Sequence, residues 1–311
     1  MARVVFLGTP QFGVPVLEAL LEHHDVLAVV TQPDCASGRG RRHTRMPPVK
    51  QVAQAHGLQV YQPASLSGDK EAIATLRESD ADLFVIAAYG QILRPTVLGI
   101  PRHGCIGVHA SLLPKLRGAA PIAAAILQGE KETGVSLMLT DKGMDTGPII
   151  AQRALPIAAD DTTETLSERL AQLGAELLIE TLPEWLAGEI EPRPQDDVEA
   201  TYAPRIEKTQ GAIDWQRTAA EIDRQVRAFR PWPGAFCIYE GKNLKVLKAH
   251  SLPQWRGGEE PGGVVQVDQD IGVATGGGLL VLEEVQLAGK KPMDVRQFAR
   301  GRRTFLHSIL A

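Results

Sequence analysis

Short apolar runs alternate with segments of helical spacing from the amino terminus onward, and this alternation constrains the fold more than anything else in the chain. Residues 4–7 are a continuous apolar run ending at Gly8, the pattern of a strand buried on both faces. Residues 13–24 set Val14, Val16, Leu17, Leu20 and Leu21 at helical spacing. A second buried strand is expected at 26–31, a helix at 49–56 ended by Gly57, a third strand at 58–61 and a strongly apolar fourth at 83–88. Such alternation implies an α/β fold, a parallel sheet with helices on its faces. Further short strands are expected at 105–109, 135–139 and 149–155, and a long amphipathic helix from about 163 to 186.

The chain has 311 residues, room for two domains. Residues 188–200 are polar, acidic and proline-bearing, the composition of a linker. After a helical stretch near 219–229 the pattern changes to short strands separated by glycines, at 235–239, 244–249, 263–267, 271–275 and 279–285. A small β-barrel is the expectation there. The reading is therefore a first domain at 1–188, a linker at 189–204 and a second domain at 205–311.

No apolar run reaches the length of a membrane span, and the apolar part of the first residues is too short for a signal peptide. Cys35, Cys105 and Cys237 lie far apart, with neither metal-ligand spacing nor a disulfide framework, so a reducing cytoplasmic location and no metal are expected. Net charge is −4, which weighs weakly against a nucleic-acid partner. Its distribution weighs the other way: residues 201–311 carry 16 Lys+Arg against 12 Asp+Glu, and the remainder of the chain is acidic.

Gly8-Thr-Pro-Gln-Phe-Gly13 closes the first strand without the middle glycine of a dinucleotide fingerprint, and reads equally as a tight turn or a ligand contact. Residues 38–45 hold Arg39, Arg41, Arg42 and Arg45 with no interleaved carboxylate. A solvated loop is one reading; self-repulsion among the arginines favours contact with a polyanion. His109 alone reads as structural and Asp145 alone as a loop cap. Together, on glycine-rich segments at strand ends, they fit the ligand-bearing edge of an open α/β sheet, and Asp145 could orient His109 or share in proton transfer. Tyr89 stands at a comparable strand end, and Ser111, Leu112, Leu113 and Pro114 offer backbone groups and an apolar wall for a flat heterocycle.

These motifs resemble the folate-dependent formyltransferases. The resemblance covers nearly the whole chain and rests on Gly8-Thr-Pro, Thr31-Gln-Pro-Asp34, Gly38-Arg-Gly40, Ala88-Tyr-Gly90, His109-Ala-Ser-Leu-Leu-Pro114, Arg117-Gly-Ala-Ala-Pro-Ile122, Glu132-Thr-Gly-Val135 and Asp145-Thr-Gly147. Thr201-Tyr-Ala203, Ile213-Asp-Trp215, Arg227-Ala-Phe229 and Pro231-Trp-Pro233, with the arginine loop, point to the branch acting on methionyl-tRNA. The resemblance implies a Rossmann-like formyltransferase domain and a smaller OB-like barrel, with 10-formyltetrahydrofolate as co-substrate and initiator methionyl-tRNA as partner; no membrane association and a monomeric state are expected alongside it. Matched positions imply catalysis by His109 and Asp145, folate contact at Ser111 to Pro114 and Tyr89, and tRNA contact through Arg39, Arg41 and Arg42.

The implied chemistry needs a proton removed from the attacking amine, a proton delivered to the departing nitrogen, and donors for a tetrahedral oxyanion. One position departs from the family pattern. Gly107 stands where that pattern has an asparagine assigned to oxyanion stabilisation, and loss of one such donor typically costs about 10²–10³ in kcat. An inactivating change, a water in place of the amide, and catalysis by His109 alone all remain open at this level. So do a small-amine acceptor, and a folate- or tRNA-binding protein with little catalysis.

Overall fold

A computed structural model describes residues 1–37, 43–302 and 304–311. The chain divides into two compact units. The first comprises Met1–Pro121, Glu132–Pro156 and Ser167–Ala203; the second comprises Ile122–Lys131, Ile157–Leu166 and Pro204–Ala311. Residues 189–203, most of the span read as a linker, are thus part of the first unit.

In chain order the elements up to residue 203 are β1 (Arg3–Gly8), α1 (Gly13–His23), β2 (Asp25–Val30), β3 (Cys35–Ser37), β4 (His43–Arg45), α2 (Pro48–Ala55), β5 (Gln59–Tyr61), α3 (Lys70–Glu78), β6 (Leu83–Ala87), α4 (Pro95–Leu98), β7 (Cys105–His109), β8 (Arg117–Gly118), α5 (Pro121–Gln128), β9 (Glu132–Leu139), β10 (Ile149–Pro156), α6 (Thr163–Ala187) and β11 (Tyr202–Ala203). The main sheet runs β10-β9-β7-β6-β1-β2-β5. The interior strand β1, between β6 and β2, buries Val4, Val5, Phe6 and Leu7 completely, which is why that run shows no alternation.

β1, β2, β5, β6 and β7 are parallel, as the strand–helix alternation requires. The sheet is nevertheless mixed, because β9 is antiparallel to β7 and β10 to β9. Only residues 140–148 join β9 to β10, too few for the crossover a parallel pair needs. Leu139 pairs with Ile106, near the start of β7, while Ser136 faces His109 at its end.

The second unit continues with α7 (Ala219–Ala228), β12 (Ala235–Tyr239), β13 (Lys242–Leu252), β14 (Val264–Val267), β15 (Asp270–Ala274), β16 (Leu279–Leu287), β17 (Met293–Asp294) and α8 (Val295–Arg300). The antiparallel order is β12-β13-β16-β15-β14, with β17 on β16. Inward positions such as Leu244, Val246, Val273, Leu280 and Val285 form its core, capped by the edge-on rings of Tyr239, Phe298 and Phe305. The five expected strands are all present. What bridges the outer strands β12 and β14 is an irregular segment: Ser308 O accepts from Val264 N, and Ala311 exchanges backbone bonds with Ile238. Among the described residues no helix is long and apolar enough to cross a membrane.

Candidate functional site

His109 ends β7 and is 9% exposed. Its Nε2 lies 3.1 Å from the carbonyl oxygen of Leu116. A carbonyl only accepts, so Nε2 carries the hydrogen and Nδ1 of the neutral ring keeps its lone pair. Leu116 can present that carbonyl because its backbone sits in the left-handed region, φ 59°, an uncommon place for a bulky residue. Its N–H is tied to Thr201 Oγ1 at 2.9 Å, which holds the turn.

Nδ1 faces Asp145, whose Oδ2 is 3.6 Å away. That is ion-pair range but longer than a hydrogen bond. Asp145 reaches this place from the loop between β9 and β10. Its φ of 55° is one that aspartate tolerates better than most residues. Oδ2 accepts from Gly118 N at 2.8 Å. Gly118 has φ 122°, and a Cβ there would lie 2.6 Å from the Ala203 carbonyl oxygen, so glycine is required. Gly147 is similarly confined: a Cβ there would meet the Leu139 carbonyl oxygen at 1.8 Å.

The expected ligand wall divides in two. Ser111 and Leu113 are buried, and their polar groups are engaged inside the protein. Ser111 Oγ donates to Lys115 O at 2.6 Å, Leu113 N donates to Ser136 Oγ at 2.9 Å, and Gln152 Nε2 donates to Leu113 O at 2.9 Å. Leu112 and Pro114 stay half-buried and offer apolar surface. Tyr89 is 2% exposed and packs in the core with Val5, Leu7 and Phe84, where burial pushes its phenol up to about 12. The group it brings to the strand edge is its carbonyl, which accepts from Thr9 Oγ1 at 3.0 Å and Gln32 Nε2 at 3.2 Å.

Gly107 lies on β7 two residues before His109, on the same face of the strand. A Cβ there would be 3.0 Å from both Met138 Cε and Thr140 Oγ1. The Thr140 hydroxyl is buried and has no hydrogen-bond partner among the described residues. Arg39, Arg41 and Arg42 lie outside the described residues.

Two groups that sequence reasoning missed come from the span taken as a linker. Thr201 supports Leu116, and Gln195 Nε2 donates to the carbonyls of Asp145 and Gly147 at 2.8 and 2.7 Å. The only sequence signal for them was the Thr201-Tyr-Ala203 motif. The thiols are not part of this arrangement: burial pushes Cys105 and Cys237 each up to about 12, while Cys35 is exposed. In the native protein a chromogenic disulfide reagent is therefore expected to titrate one thiol quickly and the other two only after denaturation. Two fast native thiols would contradict this burial.

Known proteins share this architecture. The family model described as formyl transferase matches residues 2–182, and that described as formyl transferase, C-terminal domain, matches 205–303. A methionyl-tRNA formyltransferase of Caldanaerobacter subterraneus subsp. tengcongensis is 46% identical over 300 residues, covering 96% of each chain. Another, from Myxococcus xanthus, is 48% identical and covers 96% of this chain and 95% of its own. Among solved structures, the sugar 3N-formyl transferase WlaRD superposes with a TM-score of 0.68 at 19% identity, covering 94% of this chain and 99% of that one. The chain belongs to the formyl transferase family, among its methionyl-tRNA formyltransferases.

Proposed function

We infer that this chain transfers the formyl group of 10-formyltetrahydrofolate to the α-amino group of methionyl-initiator-tRNA, for translation initiation in the cytoplasm. The observation that carries the chemistry is the geometry of His109, with Nε2 held by the Leu116 carbonyl and Nδ1 facing the Asp145 carboxylate 3.6 Å away. An amine that attacks a formyl carbon must lose a proton. Nδ1 accepts it, and Asp145 stabilises the imidazolium so formed. The same ring then returns the proton to the departing nitrogen. The Leu116 carbonyl keeps one tautomer throughout, so the ring does not have to flip between accepting and donating.

When bound, 10-formyltetrahydrofolate supplies the activated formyl group. The residues present fit it: half-buried Leu112 and Pro114 suit a flat heterocycle, and the Thr140 hydroxyl, without a partner among the described residues, adds a polar group beside Gly107. Support for a tRNA acceptor comes from the near-full-length likeness to methionyl-tRNA formyltransferases and from the basic bias of residues 201–311. Arg39, Arg41 and Arg42 are proposed to meet the tRNA phosphates.

The test compares formylation of initiator methionyl-tRNA with that of small amines such as amino-sugar nucleotides. Efficient transfer to tRNA, with affinity falling steeply as salt rises, is the expected result. Transfer to a small amine alone would overturn the acceptor assignment.

A further inference from the structure

Residues 195–203 bond both to the segment after β7 that holds His109 in place and to the loop that carries Asp145. Thr201 O accepts from Arg117 N at 2.9 Å, and β11 pairs with β8 in parallel register, Tyr202 with Arg117 and Ala203 with Gly118. Gln195 holds the other loop. Its Nε2 donates to Asp145 O and Gly147 O, so one amide spans the backbone on both sides of Thr146. Its Oε1 accepts from Arg117 Nε at 3.0 Å. The orientation of this amide is unambiguous, because a guanidinium only donates and a carbonyl only accepts. Arg117 is itself 1% exposed, and its Nη1 pairs with Asp197 Oδ1 at 2.8 Å.

We propose that Gln195 is a positioning residue for the transfer reaction, with Arg117 as its anchor. Asp145 needs such a hold. Its backbone is left-handed, its carboxylate accepts from a single backbone N–H among the described residues, and its distance to His109 is too long for a direct hydrogen bond to fix it. The side chain of Asp145 is set by Gly118 N, and its main chain by Gln195. Both supports converge on adjacent residues, Arg117 and Gly118. A displacement of this loop by about 1 Å is enough to cost a reaction about a hundredfold.

This inference rests on the formyl-transfer reading, and two variants test it. Gln195→Met keeps the volume and removes both donors; Gln195→Glu keeps an acceptor for Arg117 but cannot donate to the two carbonyls. Each is expected to lower kcat by about ten- to a hundredfold, with KM for folate and for tRNA within about threefold of the parent. In an Asp145→Asn background the same changes should cost little more, since Gln195 acts through Asp145. Full activity of a folded variant, equal losses with and without Asp145, or a rise in KM alone would overturn the proposal. A crystal structure gives a reading independent of turnover. Asp145 Oδ2 should lie well beyond 3.6 Å from His109 Nδ1 in a folded Gln195 variant. An unmoved carboxylate overturns the inference even if the parent chain formylates nothing, a result that by itself would sink the functional reading instead.

Discussion

Replacing His109 by alanine is expected to lower kcat by about 10²–10⁴, the range a positioned general acid–base contributes. The loss should fall on kcat and kcat/KM alike, because the ring acts on the proton that moves and not on ground-state binding. Asp145→Asn should follow with a smaller loss. The amide oxygen can still accept from Gly118 N, so the loop keeps its shape, but the charge facing Nδ1 is gone. Stability is a separate matter. His109 is 9% exposed, and its removal leaves the Leu116 carbonyl without its donor, at a cost of about 1–3 kcal/mol. Rates are therefore best compared well below the melting temperature of the variant. A folded His109→Ala protein within tenfold of the parent in kcat would remove the histidine from the mechanism.

How far the sequence reveals this site depends on what kind of contact builds it. His109 and Asp145 are legible because each carries a side chain of the right chemistry on a glycine-flanked segment. Their supports are not. Leu116 acts through a carbonyl and Gly118 through an N–H, groups that do not depend on the side chain. Gln195 sits in a stretch whose prolines and carboxylates read as a linker, yet the segment is held by backbone pairing with β8, which leaves no hydrophobic period to find. Tyr89 shows the opposite limit: its position at a strand end was visible, but not that its ring turns into the core. The fold follows the same division. Buried strands with several consecutive apolar residues announce themselves. By contrast, α3 has only Ile73 and Leu76 buried and is started by Asp69, whose side chain accepts from Ala72 N, a cap that composition alone does not distinguish from a turn. The antiparallel pairing of β10 with β9 follows from the length of one loop, not from any feature of the strands themselves.

Gly107→Asn is expected to raise kcat by about 10²–10³ and to change folate affinity much less. Gly107 and His109 share a face of β7, so an asparagine amide would project on the side where the imidazole works. Space is limited but yielding. The atoms nearest a new Cβ are Met138 Cε and Thr140 Oγ1, each at 3.0 Å, with Met138 Cγ at 3.3 Å. A thioether methyl at the end of an unbranched side chain can swing aside. The Thr140 hydroxyl is buried without a partner among the described residues, and an amide beside it would satisfy that hydroxyl while the Thr140 oxygen helps to aim the amide. The backbone gains as well, since glycine inside a strand costs roughly 0.5–1 kcal/mol relative to alanine. Thr140→Val sharpens the test. If Thr140 aims the new amide, the gain from Gly107→Asn should shrink in the Thr140→Val background, a coupling that a mere change of packing would not produce. A Gly107→Asn protein that melts normally and transfers formyl groups no faster than the parent would mean that a side-chain donor at this position is not what limits the reaction, and that His109 with the surrounding backbone carries the oxyanion by itself.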